Sequence, residues 1–193
     1  MSDTPPRARR ADAQRNRERV LAAAVRAFSE HGPEASVNLV AKEAGVGIGT
    51  LYRHFPTREA LIEAAYRNEL TAVCDAVTGV LEAHPPLEAM RVWMDRFLDY
   101  MTTKIGMADA LRAVIASGGD PYAQSRTLLD EAIGRLLTAA REAGEIRADA
   151  DADDVLITLS GIALAAGAPE QREQARRLAG LLIDGLRYRP GRG

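Results

Sequence analysis

The sequence predicts an all-α protein with an N-terminal three-helix head that contains a helix-turn-helix, followed by a C-terminal helical body. Three observations lead there. Ala, Leu, Arg and Glu abound, and no stretch alternates apolar and polar residues as a strand would. Apolar residues recur instead at three- and four-residue spacing along most of the 193 residues. Residues 36–61, SVNLVAKEAGVGIGTLYRHFPTREAL, read as two short helices joined by a glycine turn, with a longer helix after them.

The first helix is expected over about Asp12 to His31, burying Leu21, Ala24, Val25 and Phe28 at i, i+3, i+4 and i+7. Before it, Arg7, Arg9, Arg10, Arg15 and Arg17 form a basic arm in a polar, proline-containing start that is expected to be disordered when free. Such arms reach phosphates or a minor groove beside a reading helix; the plainer alternative is a solvated tail. Ser36 caps the second helix, because its hydroxyl can accept a bond from an early N–H that has no partner within the helix. Val37, Val40, Ala41 and Ala44 supply its buried stripe, and Gly45 stops it by taking the left-handed conformation just beyond the helix end. Val46 plugs the turn. The chain restarts as Ile48-Gly49-Thr50-Leu51-Tyr52-Arg53-His54, about two turns long at roughly 3.6 residues per turn. Leu51 and Phe55, four apart, share the core side. Such a helix can enter a major groove while the preceding one lies across the phosphates. Thr57 caps the next helix, and Arg58 sits in its first turn.

Charge is distributed to match. The chain carries −2 overall, yet residues 1–58 hold ten Arg or Lys against six Asp or Glu, and the remainder holds 15 against 21. A basic head on an acidic body concentrates attraction for phosphate where the motif lies.

These residues resemble the tetracycline-repressor (TetR) family of bacterial regulators. The resemblance is carried by Leu21, Ala23, Ala24, Phe28 and Gly32, then Ala41, Ala44, Gly45, Val46, Thr50, Leu51, Tyr52, His54, Phe55 and Leu61, and covers roughly residues 15–65, about a quarter of the chain. It implies a DNA-binding domain over residues 1–57 and an effector-binding and dimerisation domain over residues 58–193. Thr50, Tyr52, His54 and Arg58 match family positions that contact DNA, mostly through phosphates. The full DNA-facing set expected is Ser36, Asn38, Gly47, Ile48, Thr50, Tyr52, Arg53, His54 and Arg58. Gly47 and Ile48 depart from the family, many members of which place a small hydroxyl and a polar or basic base reader there. Ile48 has two readings: contact with a thymine methyl, or core, since it shares helical spacing with Leu51 and Phe55.

Further along, a helix from Arg58 to about His84 would end at Pro85-Pro86; some 26 residues at ~1.5 Å each span ~40 Å, so it should join head to body as a lever. Leu87, Met90, Trp93, Met94, Phe97, Leu98 and Met101 form one face of the next helix, opposite Glu88, Arg91, Asp95 and Asp99. A short helix near Met107 to Ile115, a break at Ser117 to Pro121, a longer helix to about Ala143 and a polar loop from Gly144 to Asp153 follow. The last two helices are expected over Asp154 to Ala166 and Glu170 to Arg187. The first of these is apolar on nearly every side, which asks for cover on every side. A second copy is the expected cover, through Leu156, Leu159, Ile162, Ala163, Leu178, Leu181, Leu182 and Leu186, in a twofold four-helix interface. The alternative is a wholly intramolecular core. Trp93, Met94, Phe97, Tyr100, Met101 and Tyr122 are candidates to line a small-molecule effector pocket, as members of the family bind one among these helices; for each of them, ordinary packing is the competing reading.

Other chemistry finds little support. His31, His54 and His84 share no ligand spacing, Asp149, Asp151, Asp153 and Asp154 lack the glycine and glutamate of a calcium loop, and no phosphate loop or nucleophile elbow occurs. Neither a cofactor nor a metal is expected. Cys74 is the only cysteine, which excludes an intramolecular disulfide. No apolar run reaches the ~20 residues of a membrane helix, and a cytoplasmic protein without membrane association is expected. The expected function is a repressor that binds a near-palindromic double-stranded DNA operator as a homodimer and is released by a small molecule. Two rivals are a small helical enzyme, for which no catalytic arrangement can be assigned, and a helical interaction protein of the same fold that has lost specific DNA readout.

Overall fold

The computed structural model describes residues 6–166 and 169–187, and among these there are nine α-helices and no strand. They are α1 (Pro6–His31), α2 (Val37–Ala44), α3 (Ile48–His54), α4 (Arg58–Ala83), α5 (Pro86–Gly106), α6 (Ala108–Ala116), α7 (Ser125–Glu142), α8 (Ala152–Ala165) and α9 (Arg172–Arg187). Short 3-10 turns at Gly32–Glu34 and Pro169–Gln171 precede α2 and α9. No described helix is long and apolar enough to cross a membrane.

The chain folds as two compact units. The first comprises the residues up to Asn68 together with Gly106–Pro121, and the second comprises Glu69–Ile105 and the residues from Tyr122 on. This division by compactness differs from the boundary expected after residue 57. The first half of α4 belongs with the head, and so does α6, which packs on the 3-10 turn after α1. Sequence distance hides that contact.

In the first unit, α1 packs against α2 through Val20, Leu21, Ala23, Ala24, Ala27 and Phe28, all buried, while Val25 is only half-buried. The helix starts at Pro6, six residues before the expected Asp12. Proline fits the first helical position, where its missing N–H has no partner to lose, and the following Arg and Ala residues favour helix. The backbone of Arg7, Arg9 and Arg10 is therefore helical, not an irregular arm; their side chains lie outside the described part. Met107, Ala110, Leu111 and Val114 bury the inner face of the 106–121 segment. Its first residue, Gly106, comes so close to α1 that a Cβ there would lie 3.1 Å from the Cβ of Ser29.

In the second unit, Leu70, Val73, Val77 and Val80 turn one stripe of α4 inward. The indole Nε1 of Trp93 on α5 donates to the main-chain carbonyl of Val73 at 2.8 Å, fixing both rotation and height of α5 against α4. Pro86 opens α5, and the main-chain N–H of Leu87 donates to the Glu145 carboxylate at 2.8 Å. On the far side, Arg176 makes a bidentate pair with Asp95, through Nε at 2.7 Å and Nη2 at 3.0 Å, and Arg172 reaches both Asp95 and Asp99. The hydrogen bond from Arg176, helped by the charge of Arg172, holds the Asp95 carboxyl below the usual carboxylate range. α8 packs between α7 and α9, and Asp151 caps it by accepting from the N–H groups of Asp153 and Asp154.

Trp93→Phe keeps an aromatic ring but removes the donor and part of the buried volume. It should lower unfolding free energy by about 2 kcal/mol. In urea titrations the midpoint should fall with an unchanged slope, because the exposed surface on unfolding stays the same.

Candidate nucleic-acid interface

The two short helices α2 and α3 are set by their ends. Ser36 Oγ accepts from the Leu39 N–H at 3.1 Å, as its position predicts. Gly45 sits at φ 65° and ψ 37°, and the N–H of Val46 reaches back to the Ala41 carbonyl at 3.0 Å. That left-handed residue turns the chain and uses up a carbonyl left open at the end of α2. Gly47, extended, starts α3 without a side-chain cap, and its carbonyl accepts from Thr50 and Leu51. Leu51 and Phe55 are buried, and Thr57 Oγ1 caps α4 by accepting from the Ala60 N–H at 3.0 Å.

The outer face of this unit is where the expected DNA-facing residues divide. Ser36, Asn38, Gly47, Tyr52, Arg53 and His54 are exposed, and Thr50 is half-buried. Ile48 is 39% exposed, whereas Leu51 and Phe55, at helical spacing from it, are buried, so it is not part of their closed core. Arg53 folds along its own helix, Nε donating to the Gly49 carbonyl at 3.2 Å and Nη2 to Thr50 Oγ1 at 3.0 Å. Arg58 is half-buried, its guanidinium 5.0 Å from the centre of the Phe28 ring and 3.4 Å from the Ala35 carbonyl. It therefore ties α4 to α1 and to the residue before the α2 cap. Arg17, placed on the arm by the sequence reading, sits 5.8 Å over the Phe55 ring, and Arg15 pairs with Asp12.

The expected effector-lining residues lie in the second unit. Trp93, Met94, Phe97, Tyr100 and Met101 are buried and Tyr122 is half-buried. Trp93 and Phe97 stack with ring centres 5.6 Å apart, and Phe97 meets Tyr100 at 5.9 Å. The ammonium of Lys104 lies 4.8 Å from the Tyr122 ring centre, and burial pulls its pKa down. Surface grooves among the described residues of this unit include one of about 270 Å³ between α5 and α9, one of about 550 Å³ between α8 and α9, and one of about 630 Å³ between α4 and α7. Met94 lines the first, but none of the three is lined by Trp93, Phe97, Tyr100, Met101 or Tyr122. Cys74 is half-buried, and burial, with the charges of Asp75 and Glu131, pushes its thiol up to about 11, far from a reactive thiolate.

The residues expected at a dimer seam split in two. Leu156, Leu159, Ala163 and Leu186 are buried within their own chain. Ile162, Leu178 and Leu182 are half-buried, and Leu181 is 67% exposed. Ile157, 55% exposed, and Leu164, 71% exposed, belong to the apolar surround of α8 though not to the expected seam residues, and they share one outward stripe with Gly161. Their i and i+7 spacing puts them on one face, but a helix apolar on every side does not show from its sequence which face points outward.

Comparisons with known proteins agree with the head's geometry. Residues 20–65 match the family model for bacterial regulatory proteins of the tetR family, and residues 85–188 match that for the C-terminal domain of SbtR-like transcriptional regulators. A TetR transcriptional regulator from Streptomyces coelicolor superposes with a TM-score of 0.86 at 59% identity, covering 90% of this chain and 99% of that one. A TetR regulatory protein from Mycobacterium vanbaalenii superposes at 0.75 with 34% identity, covering 93% and 99%. An HTH-type transcriptional regulator from Staphylococcus aureus is 32% identical over 106 residues, which is 54% of this chain and 57% of that protein. The chain thus spans just over half the length of the curated relatives it matches. With a capped helix-turn-helix at the front, a helical body behind it and family matches over both, this chain belongs to the TetR family of DNA-binding transcriptional regulators.

Proposed function

We propose that the chain represses transcription as a homodimer on a near-palindromic operator and is released by a small apolar or amphipathic molecule. The observation that carries the reading is the outer face of α3, where Ile48, Tyr52, Arg53 and His54 are exposed while Leu51 and Phe55 are buried. α3 lies in the major groove and α2 crosses the phosphates, with Ser36, Asn38, Thr50 and Arg58 as further contacts. The excess of basic residues in positions 1–58 supplies the long-range attraction. A regulator of this kind works in the cytoplasm, where its DNA is.

The second copy covers Ile157, Leu164 and Leu181 together with the half-buried Ile162, Leu178 and Leu182. Exposed Gly161 and Gly185, with nothing within 4 Å of where a Cβ would stand, leave room for close helix approach. Twofold symmetry then sets the reading helices one duplex turn apart, roughly 34–36 Å, or a multiple of it. The effector enters among Trp93, Met94, Phe97, Tyr100, Met101 and Tyr122. Since these side chains pack on one another in the present form, binding selects a second form in which they part. A differential affinity of about 3 kcal/mol between the two weakens operator binding around 150-fold.

Mobility shifts on the duplex upstream of the chain's own gene, across a salt series, test the reading. Selective binding that falls as salt rises is expected; equal competition by unrelated duplex would favour an interaction protein that has kept the fold and lost its readout. Thr50→Ala should alter preference at particular base pairs. Arg58→Ala should lower the salt slope by about 1 through a lost phosphate contact. It should also destabilise the chain by about 1–2 kcal/mol through the lost contacts with Phe28 and Ala35, so the slope is to be read below the unfolding range. Leu181→Glu should yield a monomer in sedimentation with unchanged helical circular dichroism, and a dimer surviving that change would refute the α8 and α9 seam.

A further inference from the structure

We infer that this regulator reads its operator through an aliphatic contact, with Ile48 of each copy seated against the 5-methyl group of a thymine. The inference rests on the DNA-binding reading above and goes on to name the base chemistry.

Residues at the N-terminal end of a reading helix contact base edges. In α3 those are Gly47, Ile48, Gly49 and Thr50, and two of the four have no side chain. The polar side chains closest to that first turn, Arg53 and Thr50, are engaged with each other, while Tyr52 and His54 stand further along the helix. Arg53, the residue best equipped for a guanine, has Nε on the Gly49 carbonyl and Nη2 on Thr50 Oγ1. The same bond occupies the Thr50 hydroxyl as an acceptor. What projects freely from the first turn is Ile48, 39% exposed although Leu51 and Phe55 at helical spacing from it are buried.

The glycines on either side sharpen the point. Around the missing Cβ of Gly49 there is nothing within 4 Å, so packing within the chain does not demand glycine there. A helical glycine nonetheless forfeits stability relative to alanine. Bare backbone on both sides of Ile48 allows α3 to approach a surface closely and lets the isoleucine be the first group to touch it. Of the groups that bases present in the major groove, the thymine methyl is the apolar one. An exposed β-branched side chain on a basic, groove-sized helix is thus matched to that methyl and mismatched to every polar base edge.

Full-length protein is used to select duplexes from a random pool, and the preferred duplex is resynthesised with deoxyuridine replacing each thymidine in turn, which deletes the methyl and keeps the base pair. Expected is a symmetric pair of thymines, one per half-site, at which uracil weakens binding about fourfold singly and about fifteenfold together, from ~0.8 kcal/mol for each buried methyl. Ile48→Ala should bind the thymine duplex about as weakly as wild type binds the uracil one and should be indifferent to the replacement; Ile48→Val should keep part of the discrimination. A selected duplex that tolerates uracil at every position, or an Ile48→Ala protein that still discriminates, overturns the inference and leaves the DNA-binding reading intact. Failure to select any duplex sinks that reading, and the inference with it.

Discussion

The left-handed turn at Gly45 is the constraint on which the DNA-binding end of this protein depends. Helices of eight and seven residues are too short to persist alone in water, since nucleating a helix is costly and few bonds follow to offset it. α2 and α3 exist because their ends are fixed and their inner faces are buried. Ser36 holds the start of α2, Gly45 turns its end, and Leu51 of α3 and Phe55 at its end are buried, the latter under Arg17 of α1. Arg58 fastens the start of α4 to α1 by lying over Phe28, and reaches the Ala35 carbonyl. Any residue other than glycine at position 45 strains the turn and, through it, the direction in which α3 presents its outer face.

The second unit is organised by fewer, longer helices whose packing decides register through polar anchors. An apolar stripe such as Leu70, Val73, Val77 and Val80 tolerates sliding by a turn; a single hydrogen bond from Trp93 to the Val73 carbonyl does not. The paired guanidinium and carboxylate of Arg176 and Asp95 do the same for α9 against α5 from the solvent side, where their worth is in geometry more than in energy. The chain crosses between the two units three times, after Asn68, after Ile105 and after Pro121. The segment between the last two crossings is packed in the first unit, with Gly106 against Ser29 and α6 against the turn that follows α1. The chain therefore joins the two units at the end of α5 as well as within α4.

Much of this was legible in the sequence, and the part that was not has a common cause. Caps, glycine stops and three-to-four spacing are local, and they located α2, α3, α4 and the body helices to within a few residues. α1 starts earlier than the polar, proline-containing start suggests, because Pro6 is compatible with the first turn of a helix. Membership of α6 in the first unit, and the burial of Leu156, Leu159, Ala163 and Leu186 within their own chain, are long-range facts that no local pattern carries. The same limit held at the reading helix. Periodicity put Ile48 on the edge between core and surface, and only the direction of α3 in three dimensions decides for the surface. That Arg53 lies back on Gly49 and Thr50, and that Arg58 lies over Phe28, are rotamer choices without a sequence signature.

Those two arginines separate charge from readout. A net positive head needs its cations near the duplex but not on the bases, and a guanidinium engaged within the protein, Arg53 on its own helix and Arg58 on Ala35 and Phe28, keeps its charge while committing donors that could recognise guanine. Arg53 in that position also orders Thr50 before any contact forms, so less side-chain freedom is lost on binding. Electrostatic attraction then acts on every duplex alike, and discrimination is left to whatever uncharged surface α3 turns outward. On this helix that surface is Ile48 flanked by two glycines, with Tyr52 one turn on. On the proposed reading, phosphate binding through distributed charge and sequence choice through shape and apolar contact would make selectivity less sensitive to salt than affinity.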